Sequence, residues 1–231
     1  MNPPASRPRI GITAIPEGEK MGVPAAYVAA VERAGGLPFL VPVTESARTA
    51  AEIVAWLDGL LIPGGDGITQ GLIGDLPADL PPVDPLRWQS DVAYFQAARR
   101  HERPVLGICY GMQLINALHG GTIYGDVQAQ REGSGPHAAR RGRGEHAIRA
   151  LAGTCLAELL GLEPVLVNTA HVQAVAAPGE GLRVNALSEE GVIEGLESLD
   201  GRVLGLQWHP ERLSGPPWTE LFAHFVQRCA R

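Results

Sequence analysis

The chain has 231 residues, 45 % of them hydrophobic and 19 % charged, which excludes an intrinsically disordered chain and allows one large domain with a substantial core. Its 29 glycines and 19 prolines argue against a long helical bundle, and its net charge of −6 argues against a nucleic-acid groove, which needs clustered positive charge. A single lysine, Lys20, rules out a Walker A loop and leaves no good candidate for a pyridoxal-phosphate lysine.

After a short polar start, RIGIT (9–13) reads as a buried strand, and VPAAYVAAVERAGG (23–36) as a helix closed by Gly35-Gly36. LPFLVP (37–42) is a second strand. Ser46 caps a helix with Ile53, Val54 and Leu57 on one face, and Gly59 stops it before the strand LLIP (60–63). A helix from Leu86 to His101 leads to PVLGI (104–108), an all-apolar strand of the kind parallel sheets bury on both faces. This alternation predicts a doubly wound α/β sheet. From Gln128 to Glu145 the chain turns polar and basic without a sustained period, which predicts a long exposed loop. A helix near 154–161 follows. VLVN (165–168), LRVNALS (182–188), GVIEGLES (191–198) and RVLGLQW (202–208), parted by EEG and LDG turns, read as an antiparallel meander, and PPWTELFAHFVQRCA (216–230) as a closing helix. Neither a linker nor an internal repeat interrupts 1–231, so a single domain is expected. No apolar run approaches a membrane span and MNPPASRPR has no apolar signal core, so a cytoplasmic protein is expected.

Chemistry concentrates in three segments. Gly107-Ile108-Cys109-Tyr110-Gly111 leaves a buried strand and enters the helical MQLINAL, the context of a nucleophile elbow in which small flanking residues permit a tight turn. A thiol at a helix N-terminus is helped to ionise. Gln207-Trp208-His209-Pro210-Glu211 follows a strand and offers His209 as base and Glu211 to orient it, in the chain order Cys, His, Glu, unlike α/β-hydrolases. Pro63-Gly64-Gly65-Asp66-Gly67 ends LLIP, where open α/β sheets place ligands, and the Gly65 and Tyr110 N–H groups would form an oxyanion hole. Taken singly, the H-P-E segment could be a surface turn and the glycine loop a turn without a ligand.

Together these segments resemble the class I glutamine amidotransferase superfamily, with its PGG loop, G-x-C-x-G-x-Q elbow and [FW]-H-P-E. Within it, IGIT, YVAAVERAGGLPFLVP, DGLLIPGG, RPVLGICYGMQLINALHGGTIYGDV, VNTAHVQAV, GVIEGLE and VLGLQWHPE are similar to the gamma-glutamyl-gamma-aminobutyrate hydrolase branch. The resemblance implies a flavodoxin-like sheet with an antiparallel C-terminal extension and a catalytic group of Cys109, His209 and Glu211. It also implies that Gln113 helps hold a glutamyl group, with Gly64, His171, Gln173 and Arg87 around the substrate. The chain departs from the branch at the elbow, where C-R-G is usual and Cys109-Tyr110-Gly111 is closer to the amidotransferase part of GMP synthetase. It departs again where Trp88 and Asp91 stand at the two acidic positions of R-D-x-x-E. Tyr110 and Trp88 are therefore expected at the pocket mouth, favouring a less polar leaving group.

His137 reads as a solvated loop residue; His101, His119, His146 and His224 read as structural or surface groups, and Cys155 and Cys229 as small core residues. Three scattered cysteines suit neither a disulfide framework nor a cysteine zinc site, and neither a metal nor an organic cofactor is expected. Three readings compete: a free-standing γ-glutamyl amide hydrolase working through a thioester, a glutaminase subunit that passes ammonia to a separate synthetase, and a non-catalytic binding protein. The expected partners are a small γ-glutamyl substrate and, in the second reading, the synthetase; neither nucleic acid nor membrane is expected, and the oligomeric state is open.

Overall fold

The computed structural model describes residues 6–230. Nine strands form the main path of one large sheet. Its centre is parallel: β1 (Arg9–Thr13), β4 (Leu37–Val41), β5 (Gly59–Ile62), β7 (Val105–Ile108) and β14 (Val203–Leu206) lie in the order β4-β1-β5-β7-β14. Numbered by their own succession in the chain, these five strands have the order 2-1-3-4-5 of the flavodoxin-like doubly wound fold. Every residue of β5, β7 and β14 is buried, the result of unbroken apolar runs that only a sheet covered on both faces can hide.

Between β1 and β4 lie a small hairpin, β2 (Ile15–Glu17) with β3 (Lys20–Gly22), and helix α1 (Ala25–Arg33). Helix α2 (Ala47–Trp56) begins at Ser46, whose hydroxyl accepts from Thr49 N–H at 3.1 Å, as expected. Gly59 opens β5 instead of merely ending the helix. The short β6 (Leu72–Ile73) precedes helix α3 (Pro85–Arg100), and α4 (Tyr110–Leu118) springs from the end of β7. Helices α2, α3 and α4 pack one apolar cluster around Val54, Leu60, Tyr94 and Leu114, while α1 and the final helix α7 (Trp218–Cys229) pack another around Ile12, Leu106, Trp208 and Phe222. The closing helix is thus as expected, and it covers the face opposite the elbow helix.

The other half of the sheet is antiparallel. After β8 (Thr122–Tyr124) and the helical turn α5 (Val127–Gln130), the chain runs through β9 (Glu145–Ala150), helix α6 (Cys155–Leu160), β10 (Val165–Asn168) and β11 (Ala174–Ala177) to β12 (Leu182–Ser188) and β13 (Ile193–Ser198). The order β10-β9-β12-β13 continues from β14, so the expected meander is present and β9 is an addition to it. The exposed loop expected over 128–145 is only partly that. It contains a 3₁₀ turn at Ala139–Arg141, a bridge from Ala138 to Ala170, and the buried His137 and Ala138. The polar composition misleads because its arginines are anchored: Arg141 pairs with Asp79 and with Asp126 at 2.8 Å, and Arg143 pairs with Glu190. No helix among the described residues is long and apolar enough to cross a membrane.

Candidate active site

The loops that follow β5, β7 and β14 meet at the carboxyl ends of three neighbouring parallel strands. Cys109 follows β7 with φ 51° and ψ −104°, a positive-φ conformation that a residue with a Cβ rarely adopts and that strains the backbone. The turn is tight enough that a Cβ on Gly107 would come within 2.7 Å of the Gly111 carbonyl carbon, and a Cβ on Gly111 would overlap the Ile62 carbonyl oxygen. Both glycines flanking Cys109 are therefore required by close packing. Tyr110 is the first residue of α4, where a backbone N–H has no intrahelical acceptor, so this donor is available beside the thiol.

His209 follows β14 and is fixed on all sides. Asn168 brackets its backbone, accepting from His209 N–H and donating to His209 C=O, both at 2.8 Å. Glu211 Oε1 stands 2.7 Å from His209 Nδ1, and the imidazole also interacts electrostatically with Cys109. Burial alone would lower the affinity of His209 for its proton, but the Cys109 and Glu211 partners prevail and lift its pKa to about 9. Tyr27, buried on α1, accepts from Gly64 N–H at 3.0 Å, and its hydroxyl lies 3.4 Å from His209 Nδ1. Burial pushes the Tyr27 phenol up, so it remains protonated. A Cβ on Gly64 would come within 2.7 Å of His209 Cε1, which explains why the loop needs glycine there.

The structure does not bring Arg87 into the pocket. Its guanidinium, 2 % exposed, lies behind the glycine loop, donating to Pro63 C=O at 3.2 Å and Gly64 C=O at 2.9 Å. It also pairs with Asp91 at 3.3 Å and stacks over the Tyr110 ring at 4.1 Å. A Cβ on Gly65 would overlap this guanidinium, so loop and arginine form one packed unit. The Tyr110 ring is fully buried beneath Arg87, and Trp88 packs against the core on α3. Neither side chain lines the pocket, contrary to the expectation from sequence: the elbow turns the ring inward, and α3 carries Trp88 away from the strand ends.

A cavity of about 140 Å³ opens over Cys109. Gln113, His171 and Gln173 reach its wall, as do Asp66, Asp79 and Arg140, which the sequence did not single out as site residues. The first three are also cross-braced. Gln113 donates to Gln173 C=O at 3.1 Å and to Gln207 Oε1 at 3.0 Å, and the Gln173 amide exchanges two hydrogen bonds with the Ile68 backbone at 2.7 and 2.8 Å. His171 Nδ1 donates to the same Gln173 C=O at 2.8 Å. Arg140 donates to the Asp79 carboxylate at 3.2 Å. Tyr27 and Asn168 were also missed as site residues; nothing in an amphipathic helix marks Tyr27, and Asn168 was legible only as part of the N-T-A-H segment. Cys229 is buried as expected, whereas Cys155 is half-buried with its thiol 3.2 Å from His224 Nε2. Burial pushes the Cys155 thiol up and His224 down, so this pair is not an activated one.

Known proteins share this framework. The chain is 34 % identical over 214 residues to Protein NtpR of Enterococcus hirae, covering 88 % of each chain. It is 29 % identical over 214 residues to the gamma-glutamyl-gamma-aminobutyrate hydrolase PuuD of Escherichia coli K12, covering 88 % of this chain and 84 % of that one. The fold is also that of the glutaminase domain of Trypanosoma brucei CTPS with bound acivicin, with a TM-score of 0.68, 18 % identity and coverage of 96 % and 93 %. The Peptidase C26 sequence model matches residues 7–211, a span that holds the elbow, the glycine loop and the His209–Glu211 segment together. The chain therefore belongs to the Peptidase C26 family, within the class I glutamine amidotransferase-like fold.

Proposed function

We propose that the protein is a cysteine-dependent hydrolase of γ-glutamyl amides. The observation that carries this reading is the thiol–imidazole–carboxylate relay, Cys109 to His209 to Glu211, mounted on a strained elbow beside the available Tyr110 N–H. The raised His209 pKa keeps the imidazole protonated at neutral pH, a proton donor beside the thiol. The Cys109 thiolate attacks the amide carbonyl carbon, the Gly65 and Tyr110 N–H groups stabilise the oxyanion, and His209 protonates the departing amine as the C–N bond breaks. Water, deprotonated by His209, then attacks the γ-glutamyl thioester; the C–S bond breaks, glutamate leaves, and the thiolate is restored. Glu211 orients the ring and stabilises its charged form throughout.

Arg87 acts as a positioning residue in this scheme, holding the carbonyls of the glycine loop so that the Gly65 N–H faces the reacting oxygen. Asp66, Asp79 and Arg140 supply charges of both signs at the pocket wall, which suits the amino-acid end of a γ-glutamyl compound. With the Tyr110 and Trp88 rings out of the pocket, the earlier reason to expect an apolar amine disappears, and a carboxylate-bearing amine fits the Arg140 side better. The relative named as a gamma-glutamyl-gamma-aminobutyrate hydrolase supports that class. A second reading, ammonia supply to a synthetase, is favoured by the Cys109-Tyr110-Gly111-Met112-Gln113 elbow. Measuring kcat/KM of the isolated protein on a panel of γ-glutamyl amides decides between them. The hydrolase reading expects turnover of N-substituted amides without any partner; cleavage of glutamine alone, and only with a synthetase added, would favour the second.

A further inference from the structure

Behind the pocket, on the side away from Cys109, four ionisable side chains from four separate segments converge in the interior. His137 comes from the polar loop, His146 from β9, His171 from the β10–β11 connection and Glu194 from β13. Their side chains are 0–1 % exposed. Glu194 Oε1 lies 3.2 Å from His146 Nε2, 3.4 Å from His137 Nδ1 and 3.5 Å from His171 Nε2. Despite these distances, none of the three ring nitrogens nor either Glu194 oxygen is engaged in a well-directed hydrogen bond. Buried polar atoms left in that state are costly, and four groups sharing it in one place need a common partner.

The second hydrogen bonds of the rings say what that partner is. His171 Nδ1 donates to the Gln173 carbonyl, which can only accept, so Nε2 is the nitrogen turned toward Glu194. His137 Nε2 stands 3.1 Å from Glu190 Oε2, on a carboxylate also bound by Gly135 N–H and Arg143, so Nε2 donates there and Nδ1 is the nitrogen that faces Glu194. Three imidazole nitrogens thus face one carboxylate oxygen without well-directed hydrogen bonds between them. A cation among them would be the common partner they lack. With metal–nitrogen and metal–oxygen bonds of about 2.0–2.2 Å, neighbouring ligand atoms of a tetrahedral site are roughly 3.3–3.6 Å apart, a range near the separations of His146 and His137 from Glu194 Oε1. The carboxylate–histidine and carbonyl–histidine hydrogen bonds are the supports that metal-bound imidazoles use to fix their tautomers.

We propose that His137, His146 and Glu194, whose ligand atoms lie within 4.8 Å of one another, bind a divalent transition-metal ion, best Zn(II), as a structural site, with His171 beside them against Glu194. Two imidazoles and one carboxylate suit the borderline character of zinc. The ligating side chains are fully buried, so the ion has no part in the chemistry of Cys109. Its work is to clamp the polar loop, β9, β13 and the β10–β11 connection. Through His171 and the Gln173 carbonyl that also receives Gln113, it stiffens the pocket wall. This site is independent of the proposed hydrolase activity.

The test is elemental analysis of the intact purified protein, followed by chelator stripping and titration with Co(II). The expected result is about one zinc per chain, and after exchange the intense visible absorption of tetrahedral Co(II) saturating at about one equivalent. Chelation lowers the thermal midpoint, and Zn(II) restores it. His146→Ala and Glu194→Gln reduce bound metal at least tenfold. Should these variants fail to fold, the Co(II) titration of the unaltered chain still decides. Metal-free protein that gives no tetrahedral Co(II) spectrum, with a thermal midpoint indifferent to chelator and to Zn(II), would overturn the site and leave protons as the cation holding the cluster. Wild-type metal content in folded Glu194→Gln would also overturn the assignment. Labelling of Cys109 by a glutamine-like electrophile, measured in parallel, reports on the hydrolase reading alone.

Discussion

Cys109 carries strain and chemistry in the same residue. A non-glycine residue held at an unfavourable φ costs about 1–3 kcal/mol, and that cost is borne by the Cβ, not the sulfur. Cys109→Ala is therefore expected to abolish turnover without relieving the backbone. Cys109→Gly, equally inactive, should melt about 2–4 °C above Cys109→Ala if the relieved strain exceeds the entropy of glycine by about 1 kcal/mol. Calorimetry of the two variants checks this, and a lower midpoint for the glycine variant would show that the elbow is not strained. Glu211 is the second residue whose role is separable. Its carboxylate helps lift His209 to about 9, so the alkaline limb of the kcat/KM profile should lie near that pH. Glu211→Gln removes a charge that favours the imidazolium, and the limb should move toward lower pH while the maximum rate falls. A limb that stays in place would mean another group controls it.

At the scale of elements, the site depends on how closely α4 approaches β5. A Cβ on Gly111 would meet a backbone carbonyl, that of Ile62, which cannot swing aside as a side chain would. Gly111→Ala is expected to destabilise the protein by about 1–3 kcal/mol, read from urea unfolding, and to slow labelling of Cys109 because the helix must shift. Gly65 differs: its obstacle is the buried Arg87 guanidinium, so Gly65→Ala should lose stability by displacing that charge from Asp91 and lose kcat as the loop shifts, while the elbow helix stays in place. Comparing the two variants in both assays separates packing of the elbow from positioning of the oxyanion donors. A wild-type midpoint for Gly65→Ala would show that the Arg87 guanidinium swings aside without cost.

Across the whole molecule, titration sets a window of stability. His209 binds its proton more tightly folded, at about 9, than unfolded, near 6.5. Its contribution is complete below about pH 6.5 and disappears as pH rises through 9. Asp79 and Asp200 behave oppositely. Arg141 holds Asp79 below the usual carboxylate range; burial raises Asp200, but Arg99, Ser198 and the Arg202 N–H outweigh it. Their contributions are complete above about pH 4 and are lost as pH falls. Urea midpoints should therefore be highest between about pH 4 and 6.5 and decline on both sides. In His209→Asn the decline toward pH 9 should be much shallower. An unchanged alkaline decline in that variant would move its cause elsewhere.

Local pattern was enough to settle the parallel centre, the Ser46 cap and the closing helix, because each rests on periodicity or steric need within a few residues; the glycine loop and the H-P-E segment were joined to the elbow only by the family resemblance. Apolar runs such as Val105–Ile108 can be hidden only between layers, and G-x-C-x-G can make its turn only with glycine on both sides. What lay outside reach was every arrangement formed across distant segments. The sequence shows Arg87, Tyr110 and Trp88 as side chains near a motif; only packing turns the Tyr110 ring under the Arg87 guanidinium and sends Trp88 to the core. His137 stands in a stretch as polar as any surface loop, and Glu194 in a strand otherwise fit for the core. Neither is intelligible alone, since the free energy that permits a buried charge comes from partners many residues away, and chain order carries no record of which side chains the sheet will bring face to face.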